Sequence, residues 1–246
     1  MLKKILSIAL CIAITFTLFA CGGNATVSSD SSSSGGSNGN LKSQIQNCTP
    51  VSDYSGNTTV DQMDSIEFGK DEKGRLIEWI VLEKNNNKAL LISKWELYKK
   101  NYNIERIDIT WENSFIRQWL NSDFINLSFG KKEQGQILTT NVINNDNLKY
   151  NTSGGNNTKD KIFLLSIDEV SNYFKSEKQR VASYIDEGNP LISTYGETWG
   201  NAYWLRSPGS QQSYAAYVNG GVVNDDGWMV QDDSGSGIRP AMWVKY

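Results

Sequence analysis

The chain has 246 residues, with 27 acidic against 24 basic side chains and a formal net charge of −3, so it offers no overall basic field to nucleic acid. It contains no histidine, which excludes Ser-His-Asp and Cys-His nucleophilic machinery and His-ligated zinc or non-haem iron. Carboxylate chemistry, hard-cation sites and pure binding remain open.

Lys3 and Lys4 precede an apolar run, Ile5 to Phe19, that ends in Ala20-Cys21-Gly22-Gly23. A positive start, a short apolar core and small residues at the cleavage point mark an export signal. The run falls short of the ~20 apolar residues needed to span a bilayer. Cys21 after a small residue resembles the bacterial lipobox, whose thiol receives a diacylglyceryl group before cleavage. The expectation is a signal peptide over 1–20, a lipidated Cys21 and an anchor at the extracytoplasmic face of the cell membrane. Cys11 leaves with the signal, so Cys48 has no intramolecular disulfide partner. Residues 21–64 are rich in Ser, Gly, Asn and Thr and read as a flexible tether, with Cys48 an incidental thiol within it.

The globular part is expected over 65–246. Ile66-Glu67-Phe68-Gly69 alternates as a short strand, and Leu76–Leu82 and Ala89–Ile92 form a hairpin around Lys84-Asn85-Asn86-Asn87. Thr110 is placed as the cap of a helix that buries Trp111, Phe115, Ile116, Trp119 and Leu120. Ser166 and Glu169 form a capping box, Leu165 and Val170 a hydrophobic staple, and Ile167, Val170, Tyr173 and Phe174 the buried stripe of a second helix. Between them, 144–161 is a long polar stretch, either a functional loop or disorder. Tyr203–Arg206 reads as a strand entering the Ser207-Pro208-Gly209 turn. Tyr214–Val218 and Val222-Val223 flank Asn219-Gly220-Gly221, a hairpin signal. A polar loop is expected over 224–237, then a closing strand, Ile238–Val244, with Pro240 at an edge or bulge.

Four segments carry a resemblance. They are Thr110-Trp111-Glu112 leading into Ile116–Asn121, Thr152–Asn156, Tyr203–Gly209 and Gly237–Trp243. Together they resemble a family of domains of unknown function, common in secreted proteins and lipoproteins of Gram-positive gut bacteria. A more distant likeness is to C-type-lectin-like domains, in the branch of formylglycine-generating-enzyme relatives and retroelement-diversified receptors. It implies an α+β fold: a twisted antiparallel sheet, two main helices and a large loop region used for ligands. It also implies that the first and last strands, near Ile66 and Met242, pair. Formylglycine-generating chemistry is excluded, because it needs an active-site cysteine pair that this domain lacks.

The densest candidate ligand surface is terminal: Tyr214, Tyr217, Asn219, Asn224, Asp225, Asp226, Trp228, Asp232 and Asp233. Aromatic faces stack on sugar C–H faces while amides and carboxylates bond hydroxyls, and Tyr and Trp also anchor protein partners. The competing reading is that Trp228 and the tyrosines pack under their own loop. Tyr214 and Tyr217 have opposite strand parity, so at most one faces a ligand. Arg206 is a candidate anion contact or, beside Ser207-Pro208, a ligand for buried carbonyls. Asp225-Asp226-Gly227 and Asp232-Asp233-Ser234-Gly235 carry oxygens of the kind calcium takes, without a recognised calcium spacing. The sequence is therefore read as a non-enzymatic module for a glycan or protein ligand. The alternatives are a carbohydrate-active enzyme using paired carboxylates and a structural cell-envelope module.

Overall fold

Leu41 and Ile45 stand one helical turn apart, and both are buried as the inner face of α1 (Leu41–Asn47), whose first turn is capped by the Asn40 side chain. The structure, a computed structural model, describes residues 40–186, 189–190, 201–232 and 236–246. Two 3₁₀ turns follow α1, Val51–Asp53 and Val60–Gln62, the second closed by a Thr59/Gln62 capping box. Cys48, Val51, Val60 and Met63 are buried with Leu41 and Ile45 in the main core. The flexible tether expected up to residue 64 is therefore corrected from Asn40 onward. The apolar residues are few there, but their spacing places all of them on one side. Cys48 is likewise a core residue, and burial pushes its thiol up to about 11.

Strand β1 (Ile66–Lys70) pairs with β2 (Leu76–Asn85), which turns into β3 (Lys88–Ser93). Asn86 and Asn87 make that turn at φ 47° and 61°, the left-handed pair of a two-residue hairpin. On the outer edge of β1, the Gln44 amide bonds the Glu67 backbone both ways: Glu67 N–H donates to Oε1 at 2.8 Å and Nε2 donates to the Glu67 carbonyl at 3.4 Å. The side chain thus stands in for a strand partner and covers the edge.

After β4 (Tyr98–Lys99), the helix expected from Thr110 is broken. Trp111–Asn113 is a 3₁₀ turn; Ser114 then caps α2 (Phe115–Trp119), accepting the Arg117 N–H at 3.3 Å. A π turn over Leu120–Phe124 joins α2 to α3 (Ile125–Ser128), and α4 (Lys131–Gln134) follows. The apolar spacing is right for one face, but Ser114 competes for the backbone as a cap. Trp111, Ile116, Trp119 and Leu120 are all buried.

The polar stretch 144–161 follows β5 (Thr140–Val142) and includes β6 (Thr158–Asp160) near its end, and the two strands pair. Then α5 (Ile167–Tyr173) starts at the expected capping box: Glu169 N–H donates to Ser166 Oγ at 3.1 Å and Ser166 N–H to Glu169 Oε2 at 3.0 Å. Val170 and Phe174 are buried, Ile167 and Tyr173 half-buried against the core. A short α6 (Glu177–Arg180) and the two-residue strands β7 (Ile185–Asp186) and β8 (Asn189–Pro190) lead to β9 (Ala202–Pro208).

The hairpin β10 (Tyr214–Asn219) and β11 (Val222–Met229) turns through Gly220 and Gly221 at φ 55° and 87°. Here the acidic residues expected in a loop lie in a strand, since β11 runs on through Asn224, Asp225 and Asp226 to Met229, with the register against β10 shifting between Asn224 and Trp228, where the two acids sit. The closing strand is split. β12 (Gly237–Ile238) joins one sheet, β13 (Ala241–Lys245) the other, and Arg239-Pro240 crosses between them. Proline without an N–H fits that crossing, not a ladder position.

Two principal sheets result, in orders β1-β2-β3-β13 and β11-β10-β9-β12-β4. The first is antiparallel, and in the second only β12 on β9 runs parallel. The fold is mixed α+β, a curled antiparallel sheet with few short helices. The expected pairing of first and last strands does not occur: β1 and β13 occupy opposite edges of one sheet. The β2–β3 hairpin lies between them because its tight Asn-Asn turn fixes those two strands as neighbours. Trp79, Trp111 and Trp204 are wholly buried, and their indole N–H groups donate to Phe68 O (2.7 Å), Asp160 Oδ2 (2.9 Å) and Lys100 O (2.9 Å). No helix among the described residues is long and apolar enough to cross a membrane.

Candidate functional site

The loop after β5 is ordered by its own small and amide side chains. Asn144 donates through Nδ2 to Asn156 O at 2.7 Å and through its backbone N–H to Asn157 Oδ1 at 2.9 Å. A side chain on Gly154 would meet the carbonyl oxygens of Asn144 and Asn145 at 2.4 Å, and Gly155, at φ 79°, lies against Thr110. Thr152 Oγ1 donates to Gly209 O at 2.6 Å, and Asn147 Nδ2 donates to Pro208 O (3.0 Å) and Asp225 O (2.8 Å). The Thr-Ser-Gly-Gly-Asn segment is thereby fastened to the Ser-Pro-Gly turn and to β11.

Arg206 is the bolt beneath this loop. It is 3% exposed. Its guanidinium donates to Leu164 O (2.7 Å), Ile143 O (2.9 Å) and Asn144 Oδ1 (3.2 Å), and it clasps both carboxylate oxygens of Glu169. Every donor face is occupied, so Arg206 satisfies buried carbonyls and presents no group to a ligand. Planar bidentate pairing of this kind is what arginine, unlike lysine, can supply.

Above Arg206, the loop and the start of α5 enclose an open cavity of ≈ 380 Å³, with Asn145, Asp146, Asn147, Leu148, Asp168 and Ser207 in its wall. Asp146 Oδ1 accepts the Gly154 N–H at 2.8 Å, Asp168 Oδ2 accepts from Asn145 Nδ2 at 3.0 Å, and Ser207 Oγ accepts the Ile167 N–H at 3.0 Å. Leu148 is 88% exposed. These wall residues were absent from the sequence-based candidates. Their one visible signal was the length and amide content of the 144–161 stretch.

The terminal candidates lie along the neighbouring hairpin. Trp228 is 41% exposed on the edge strand β11, and its indole N–H donates to Asp232. Asp225 accepts a salt bridge from Lys149 at 2.8 Å, and its carbonyl is held by Asn147, so this carboxylate is tied to the loop. Asp226 is exposed, and Asn224 and Asn219 are half-buried, at opposite ends of the turn region. Tyr217 packs on the core across from Trp204, ring centroids 6.4 Å apart; burial, aided by Asp226, raises its phenol. Tyr214 pairs with Met229 and lies under the Arg106 guanidinium, 5.8 Å from the ring. Asp233 and Cys21 lie outside the described residues. The hairpin surface thus gathers Trp228, Asp226 and Asp232, while Tyr217 and Arg206 serve the interior.

No group of three or more His, Cys, Asp or Glu side chains among the described residues is arranged to hold a metal ion. Neither a curated protein nor a solved structure matches the chain significantly. A family model does match, over residues 86–246, starting at the β2–β3 turn and leaving β1 and β2 outside although β2 pairs with β3 along its length. That span holds β3 to β13, the loop, the cavity wall and the terminal hairpin, and by it the chain belongs to the family described as a domain of unknown function (DUF6273).

Proposed function

We propose that this chain is a lipoprotein, anchored through Cys21 at the extracytoplasmic face of the membrane, whose domain binds a glycan or protein ligand without catalysis. A C-type-lectin-like framework with a ligand-bearing loop region is part of the proposal. The carrying observation is the exposure of Trp228 on an edge strand whose Asp225 is fastened to the loop that walls the cavity. An exposed indole beside amides and carboxylates suits a sugar ring or a partner's side chain. The curled antiparallel sheet and the long ordered loop support the lectin-like part.

The full chain on a glycan array, with and without calcium, tests this. Specific signals are expected, and Trp228→Ala should lower them by about tenfold or more, as loss of an aromatic anchor does. Signals that persist in the variant would remove the hairpin from the site, and calcium dependence would add a metal. Absence of any signal would move protein partners or a structural envelope role to the front. One observation favours the enzymatic alternative: Asp146 and Asp168 share one cavity wall. Hydrolysis of a glycoside that stops in Asp168→Asn would establish it.

A further inference from the structure

Glu96 and Arg239 are both wholly buried, yet they are not matched to each other. Glu96 forms no ion pair with a described residue, and its two carboxylate oxygens have no hydrogen-bond partner among them. Arg239 donates through Nε to Ser93 O at 2.9 Å and through Nη1 to Arg180 O and Tyr203 Oη, both at 3.4 Å. Its Nη2 has no acceptor among the described residues. The Glu96 side chain packs instead on Gly237 of β12, where a Cβ would overlap the carboxylate. Gly237 pairs with Lys99 of β4 and Tyr203 of β9, and Ile238 O accepts the Leu97 N–H at 2.9 Å. β12 is two residues long, so these pairs are its ladder.

The charged groups around the acid are few. Lys99 from β4 and Arg239 from the crossing are the cations whose field reaches it. Lys99 keeps its ammonium over the Tyr184 ring at 5.0 Å, and Tyr184 stands opposite Glu96 in a parallel bridge. From β9 the Tyr203 hydroxyl donates to Arg180 O at 3.0 Å, and from α6 the Arg180 guanidinium is spent on Gly221 O and Phe174 O.

We propose that Glu96 is a proton-controlled latch on β12: as a neutral acid it lets β12 sit between β9 and β4, and as a carboxylate it drives β12 out. Burying a neutral carboxyl without partners costs far less than burying a carboxylate without them. With Gly237 against it, the carboxylate has little room to turn, so its charge reaches water or Arg239 Nη2 only if β12 gives way. A two-residue strand is the part of the ladder least able to resist. The proton is bound more tightly while β12 is seated, so the seated form is favoured at low pH. Opening grows as pH rises above the ordinary carboxylate range, until the seated form itself loses the proton. β12 belongs to the sheet that carries the terminal hairpin, and the inference stands whatever the domain binds.

The test is hydrogen exchange of the full chain from pH 5 to pH 8, corrected for the chemical exchange rate and read by mass spectrometry. The informative peptides cover 95–99 and 237–241, with 79–92 of the β2–β3 hairpin as reference. In the parent, opening at the first two should rise about tenfold per pH unit, as release of one proton demands. The reference should stay at least about tenfold more protected throughout, because it opens only with the whole fold. Glu96→Gln should hold opening at the parent's low-pH value across the range. A flat profile in the parent, or the same slope in Glu96→Gln, would overturn the latch. Equal protection of β12 and the β2–β3 hairpin would overturn it as well, since the molecule would then open only as a whole. That comparison uses the parent alone and decides the question even if the variant does not fold.

Discussion

Glu96 is fully buried, and neither of its carboxylate oxygens has a hydrogen-bond partner among the described residues. Its side chain packs so closely on the chain that a Cβ on Gly237 would come within 2.1 Å of Oε2. Desolvation raises its pKa well above the ordinary 4.5, against the opposing pull of Lys99 and Arg239. An acid raised on folding binds its proton more tightly in the native state. Stability is therefore complete below the unfolded value and declines as pH rises from there toward the folded value. Glu96→Gln mimics the neutral acid and should remove that decline. The variant should melt higher at pH 7, by about 2–4 °C for each kcal/mol recovered, and match the parent at pH 4. Identical melting temperatures at both pH values would show that Glu96 is not the titrating group. Arg239, stacked between Phe174 and Tyr203 at 5.3 Å from each ring, donates to Ser93 O at 2.9 Å. It binds the crossing between the sheets much as Arg206 binds the loop.

At the scale of elements, the loop between β5 and β6 is held by glycine contacts that leave no room for a Cβ. Gly154→Ala would place a methyl 2.4 Å from two backbone oxygens, and backbone cannot step aside as a flexible side chain does. The expected cost is about 1–3 kcal/mol, read as a lower midpoint in urea. Because Gly154 N–H also holds Asp146 at 2.8 Å, the cavity wall should loosen in the same variant. Faster amide exchange at 145–148 would report it. Stability equal to the parent would mean that the loop carries little of the fold's energy. Helix architecture teaches a related lesson. Side-chain periodicity marked the buried face from Trp111 to Leu120, but it could not show that Ser114 would divide the segment, because a cap and a helix interior use the same residue differently.

For the molecule as a whole, the segment before β1 belongs to the core. Leu41, Ile45, Cys48, Val51, Val60 and Met63 are buried in it, and each fully buried aliphatic side chain contributes about 1.5–3 kcal/mol. A chain started at Ser65 would expose their partners and uncover the edge that Gln44 protects. Compared with one started at Ser37, where the compact unit begins, it should be less soluble and lack a cooperative thermal transition. Equal cooperative melting of the two would show that 40–64 contributes nothing to the fold.

Local chemistry was enough for several features. The Asn-Asn and Gly-Gly hairpins follow from positive φ, and the Ser166–Glu169 capping box from side-chain reach. The absence of histidine alone removed whole reaction classes. These depend on a few neighbouring residues, or on composition, and need no fold to be read. Other features were decided by partners far along the chain. The acids of β11 form a strand because β10 lies beside them, and residues 40–63 are core because β1 and β2 offer them an apolar surface. Arg206 is occupied because Ile143, Leu164 and Glu169 converge on it. The cavity exists only where the loop, α5 and the Ser-Pro-Gly turn meet. A hydrogen bond or a buried contact depends on distance in space, and separation along the chain does not fix that distance until the tertiary structure does.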